Sequence, residues 1–200
     1  MNMFCGRWML VLLMSTACAN ATDLISPPVT EGGVMPEWQP NTRCTLSASN
    51  PVVDYGIMSR WQLQDVARGS VSPGTRSLML NVACPHTRTM KLLIQGEGSE
   101  QGGLRYGGHG VTRLRLLDVQ LDGKAVELRT LTSTGEWGDN GGQAMMLTPG
   151  QQLVPVVQGR LVEGKALTAR LEVQPILAEQ EAHVSSPQRS ESVLTLTLAN

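Results

Sequence analysis

The order of apolar and polar positions divides the chain in two. From Cys44 onward, apolar residues recur at every second position in a series of short runs, with Gly, Pro, Asn and Asp between them. Period-two alternation sends one set of side chains to a core and the other to water, which is the pattern of half-buried strands. In Arg76–Cys84, Leu78, Leu80, Val82 and Cys84 share one face, while Ser77, Met79, Asn81 and Ala83 share the other. In Leu167–Val173, Leu167, Ala169, Leu171 and Val173 alternate with Thr168, Arg170 and Glu172. Leu194, Leu196 and Leu198 alternate with Thr195 and Thr197 in the final run. Shorter runs predict strands at Cys44–Ser49, Val52–Tyr55, Trp61–Asp65, Thr89–Gln95, Val111–Gln120, Ala125–Leu131 and Gln152–Gln158. Asp122-Gly123 between two apolar runs is a hairpin turn signal. Ser133–Gln143, rich in Gly, Asn and Asp, reads as a loop. No stretch of about 12 residues keeps a helical stripe without a breaker. The prediction is an all-β domain, a sandwich or a barrel.

The pattern fails before Cys44. Pro27, Pro28, Pro36 and Pro40 interrupt any helix and hold their preceding residues extended, so 22–43 reads as an extended arm. Residues 1–21 carry the parts of a secretory signal: Arg7, then the apolar run Trp8–Met14, then Ala19-Asn20-Ala21 with its small residues, placing the cut before Thr22. That run is far short of the roughly 20 residues a membrane span needs. A rival reading takes Ser15-Thr16-Ala17-Cys18 as a lipoprotein box with Cys18 acylated.

Cysteine usage sharpens this division. Cys5 and Cys18 fall within the signal, leaving Cys44 and Cys84, 40 positions apart and each at the end of a strand-like run. A lone pair in an exported, strand-rich domain reads as one structural disulfide. Charge adds little. Removal of Arg7 leaves the exported chain one short of the full 16 Lys+Arg against 17 Asp+Glu, and no basic stripe points to nucleic acid.

The search for chemistry is negative. His86 follows Cys84-Pro85 in a predicted turn, His109 lies in Tyr106-Gly107-Gly108-His109-Gly110, and His183 lies in a polar stretch; all three read as solvated loop residues. A zinc site would need several His or Cys ligands at short spacing. There is no Gly-x-Ser-x-Gly elbow, and Gly102-Gly103 and Gly107-Gly108 are not followed by Gly-Lys-Ser/Thr. Asp118 and Asp122 flank a hairpin and read as turn and edge residues, and Trp38, Trp61 and Trp137 read as packing anchors rather than a binding surface. The chain reads as a non-enzymatic protein with no cofactor and no metal.

Together these features resemble the chaperone–usher fimbrial subunits. The resemblance rests on the export signal, the arm, the Cys44–Cys84 pair and the alternating final run, and it spans most of residues 29–200. Asn50-Pro51-Val52-Val53-Asp54-Tyr55-Gly56 is similar to the second strand segment of pilins. Leu78-Met79-Leu80-Asn81-Val82-Ala83-Cys84 is similar to their strand leading to the second cysteine, and Glu191–Leu198 to their last strand. These motifs are patterns of residue class.

The resemblance implies an incomplete, immunoglobulin-like β-sandwich over 44–200, lacking its final strand, with 22–43 as the arm. In such subunits a hydrophobic groove lies beside the C-terminal strand. A periplasmic chaperone first lends it a strand, and the arm of the next subunit later replaces that strand at the outer-membrane usher. The expected donor residues are Val29, Gly33, Val34 and Met35, with Gly32 beside them, and the expected groove wall is Leu194, Leu196 and Leu198. The implied partners are the chaperone, the usher, other fimbrial subunits and a host receptor, with the cell surface as destination and adhesion as the role. The sequence departs from the family in two places. Only Val29–Met35 of the arm is free of proline, and the chain ends Leu198-Ala199-Asn200 without the near-terminal tyrosine common in major pilins. Both departures point to a minor, tip or adaptor subunit. Two rivals stand beside this reading. One is a single-domain adhesin or invasin on the same fold, binding through loops such as Gly102–Gly110 and Ser133–Gln143. The other is a freestanding periplasmic β-sandwich.

Overall fold

The computed structural model describes residues 43–66, 69–132 and 135–199. The signal, Cys18, Trp38 and the expected donor residues Val29, Gly32, Gly33, Val34 and Met35 lie outside the described residues. Alternation sets the longest strands: β4 (Arg76–Thr89) after the short β1 (Thr45–Ala48), β2 (Gln64–Val66) and β3 (Ser70–Ser72). Next come β5 (Lys91–Gln95), β6 (Leu104–Tyr106), β7 (Gly110–Leu121), β8 (Lys124–Ala125) and β9 (Glu127–Leu131). After these come β10 (Trp137–Gly142), β11 (Met145–Leu147), β12 (Gln152–Val157), β13 (Arg160–Leu161), β14 (Glu163–Ala178) and β15 (Thr195–Ala199). Helical structure among the described residues is limited to two 3-10 turns, Arg60–Gln62 and Glu179–Ala182.

The strands form two antiparallel sheets. The larger runs β1-β4-β14-β7 across its middle, with β6, β8 and β11 also paired to β7 and with β3 and β2 continuing from the end of β14. The smaller runs β10-β9-β12-β5-β15, with β13 beside β12. The inward faces form one shared core. Leu78, Leu80, Val82, Leu114, Leu116, Leu167, Ala169 and Leu171 come from the larger sheet, and Leu92, Ile94, Leu128 and Leu153 from the smaller. The all-β sandwich predicted from the alternation is therefore the observed architecture.

The Asp122-Gly123 turn forms as predicted, with φ of 49° and 77° at its two residues, the left-handed pair that a two-residue hairpin needs. The Asp122 carboxylate does a second job. It accepts the backbone N–H of Lys165 at 3.0 Å and of Ala166 at 2.8 Å, fastening the hairpin to β14 where that strand's register against β4 breaks. Asp118, at φ 52°, sits at a second break, between β7 and β14, and binds Arg170 there (Nη2–Oδ2 2.7 Å).

Several elements differ from the pattern-based expectation. Val52–Tyr55 is not a strand. The Asp54 carboxylate accepts the Gly56 N–H at 2.8 Å and Gly56 takes φ 72°, so side-chain bonding turns the backbone out of any ladder. Trp61 lies in a 3-10 turn, and of the predicted strand Trp61–Asp65 only Gln64 and Asp65 pair, with Val66 added beyond it. His86 lies within β4 rather than in a turn. Register passes from Ala166↔Ala83 to Gly164↔Arg88, so the residues around Pro85 form a bulge in which the missing proline N–H breaks no ladder bond. Ser133–Gln143 is not wholly loop, because Trp137–Gly142 pairs with β9 across a bulge. Its pairing is carried by backbone, and a glycine-rich edge has no alternating side chains to betray it. Strands β3, β6 and β11 were absent from the expectation because three residues are too few to display a period.

Candidate functional site

The feature that sets this sandwich apart is a seam where, among the described residues, two sheet edges come together without pairing. On one side is β1. Among the described residues its ladder is with β4, from Thr45↔Ala83 to Ala48↔Leu80. The opposite side is formed by β15, which pairs with β5, from Thr195↔Gln95 to Ala199↔Lys91. The outer N–H and C=O groups of both strands thus have no ladder partner among the described residues.

Parity makes this seam apolar. Cys44, Leu46 and Ala48 share one face of β1, and Thr45 and Ser47 point outward. On β15, Leu196 and Leu198 lie opposite Ile94 and Leu92, and so turn toward the core, while Thr195 and Thr197 are exposed. Leu194 extends that row upstream of the strand. Cys44, Leu46, Ala48, Val53, Leu194, Leu196 and Leu198 all pack against the buried cluster yet remain only partly buried. Interior strands of the same sandwich bury the corresponding residues almost completely, with Ile94 at 0% and Leu92 at 3% exposed. Val162 and Val173, away from both edges, are also only partly buried, so incomplete cover is clustered at the seam without being restricted to it.

Both edge strands run antiparallel to consecutive strands, β1 to β4 and β15 to β5, with Met90 alone between those two. The start of β1 and the end of β15 line one cavity of about 460 Å³, closed by Arg88, Thr89, Met90 and Lys91 of the β4–β5 connection, with Arg43 at its rim. At their nearest the strands come within 8 Å, Cα to Cα. Two strand spacings amount to roughly 10 Å.

The disulfide holds one side of the seam in place. Cys44 and Cys84 are bonded, with Cα atoms 4.1 Å apart. Cys84 is 9% exposed and faces inward with Leu78, Leu80 and Val82, as the parity of its run predicts. The bond therefore pins the first residue beside an edge strand to the central strand next to it. Beyond β1 the chain is pinned again. The Tyr55 hydroxyl donates to the Val173 carbonyl at 2.9 Å, and the Arg76 guanidinium lies 5.7 Å from the centre of its ring. Burial pushes the Tyr55 phenol up to about 12, against a smaller opposing pull from Arg76. Burial also raises Tyr106.

Among the residues named in the sequence reading, the structure brings Cys44, Cys84, Leu194, Leu196 and Leu198 to this seam. It leaves the three histidines apart and exposed. Among the described residues, no group of His, Cys, Asp and Glu gathers at metal-binding distance. Trp61 is not the packing anchor expected. It is 94% exposed, because Arg60 donates to Asp65 at 2.5 Å and to Glu179 at 2.8 Å and so fixes its turn with the indole outward. Trp137 is 42% exposed on edge strand β10. The reading missed the second wall of the seam, Leu46, Ala48 and Val53. The signal was present: Leu46 and Ala48 have the same parity as Cys44, in a run already predicted to be a strand.

Comparison with protein-family models and with curated proteins finds no match for this chain.

Proposed function

We propose that this chain is a structural subunit of a bacterial surface fibre of the chaperone–usher kind, exported through the periplasm and completed by a strand from another chain. The observation that carries the reading is the unpaired seam between β1 and β15, walled on both sides by partly buried apolar residues. A sandwich closed on itself has no reason to leave a leucine row half covered. In this reading its architecture is an immunoglobulin-like sandwich short of one strand.

A strand entering the seam would find the open edges of β1 and β15 beside it. Main-chain bonds would supply affinity, and alternate apolar side chains would fill the spaces above Leu194, Leu196 and Leu198. Completing the burial of each half-covered leucine contributes about 1 kcal/mol. In the periplasm the donor is a chaperone. In the fibre it is the arm of a neighbouring copy or subunit, offered by Val29, Gly33, Val34 and Met35. Adhesion to a host surface is the role that follows from membership of such a fibre.

Co-expression with a periplasmic chaperone of this class tests the reading. The expected result is a one-to-one complex that keeps the chain soluble, with Leu196→Asp abolishing capture because a carboxylate cannot be buried in that row without a partner. Equal capture of the Leu196→Asp chain would remove the groove assignment. A stable, soluble monomer obtained without any chaperone would favour the freestanding sandwich.

A further inference from the structure

On the outer face of the larger sheet, alternation along β7 sends Arg113 and Arg115 to the same exposed side, about 7 Å apart along the strand. Across the ladder to β14, Arg113 lies opposite Gln174 and Arg115 opposite Glu172. Opposed Arg and Glu on neighbouring strands ordinarily pair. Here the Glu172 carboxylate is taken by Arg170 (Nη1–Oε1 2.7 Å), which also binds Asp118. Among the described residues, neither Arg113 nor Arg115 has a carboxylate partner. A chain with a formal charge of −1 thus places two guanidinium groups side by side on one exposed face, with Glu172 opposite one of them. They line an open cleft of about 570 Å³ together with Thr75, Ala144, Met146, Gln174 and the Arg170-bound Glu172.

We infer that this cleft binds an acidic saccharide, a sugar ring carrying carboxylate or sulfate. Paired guanidinium forks match the geometry of those anions. The Thr75 hydroxyl and Gln174 amide beside them suit the sugar's hydroxyl groups. Met146, 52% exposed, offers an apolar surface to the C–H face of a ring. An anionic lipid headgroup shares the charge, but a single exposed methionine on a rigid sheet gives little area for bilayer contact. The cleft is built from β7, β11 and β14, apart from the edges β1 and β15, so it does not rest on the strand-addition reading.

The test uses the purified protein in whatever assembly it is isolated, against immobilised heparin oligosaccharide, hyaluronan oligosaccharide, neutral dextran and phosphatidylglycerol vesicles. The expected result is binding to at least one of the two acidic saccharides that weakens with added NaCl, with no binding to dextran. The double variant Arg113→Gln, Arg115→Gln should lose about tenfold or more in affinity. A charge-matched control, Lys124→Gln with Arg160→Gln, should bind as the unaltered chain does. If the double variant does not fold, each single variant, at an exposed position, should still lose severalfold. Unchanged binding by the arginine variants, equal binding to dextran, or no binding to either acidic saccharide would overturn the inference. Vesicle binding as strong as saccharide binding would replace it with a lipid surface. None of these outcomes depends on whether a chaperone captures the chain.

Discussion

Tyr55 shows how a single side chain steers a segment that has no ladder of its own. The residues after β1 carry apolar alternation, which predicts a strand, but Asp54 and Gly56 bend the backbone away and Tyr55 re-anchors it on the Val173 carbonyl. The phenol's folded value, about 12, exceeds its ordinary 10.0. The neutral form is therefore the one the fold favours. Its contribution is complete below pH 10 and is lost as pH rises toward 12. Tyr55→Phe should cost about 1 kcal/mol at neutral pH through the lost hydrogen bond. It should also flatten the fall in stability between pH 10 and 12, as read by chemical denaturation at each pH. An unchanged alkaline profile in the variant would show that the fall belongs to other groups, Tyr106 among them.

At the scale of elements, what could be read from the sequence depended on whether side chains or backbone set the structure. Strands β4, β7, β12 and β14 bury alternating or continuous apolar residues, and the sequence displays them. Strand β10 is held by backbone pairing across a bulge among glycines, and β4 runs on through Pro85 because the ladder bulges there. Neither event leaves a periodic trace. The seam was half legible. Its β15 wall is a plain leucine row, whereas its β1 wall hides in a four-residue strand whose apolar members are a leucine and an alanine, with Cys44 just before it. That short strand depends on its staple. Replacing both Cys44 and Cys84 by serine opens a long covalent loop and should lower stability by about 4 kcal/mol in the loop-entropy account. The amide protons of Thr45–Ala48 should become the least protected of the larger sheet. A loss below about 1 kcal/mol in urea unfolding would mean that ladder and packing alone hold β1.

At the scale of the whole molecule, the sandwich is a closed core with one open side. Its two sheets bury most of their inner faces, and a row of partly buried apolar residues lies where, among the described residues, β1 and β15 meet without pairing. An edge left in that condition is an aggregation hazard unless something covers it, and the segment Val29–Met35 of the same chain is free of proline and carries apolar residues. Hydrogen exchange is the most direct measurement of whether the seam accepts a strand. Amide exchange across Thr195–Ala199 and Thr45–Ala48 would be followed with and without a peptide spanning Val29–Met35, or a chaperone donor strand in its place. Fast exchange is expected at the outward amides of both edges in the free protein, with marked slowing at both when the strand is present. Protection already complete in the free protein, or no change on adding either strand, would contradict that expectation.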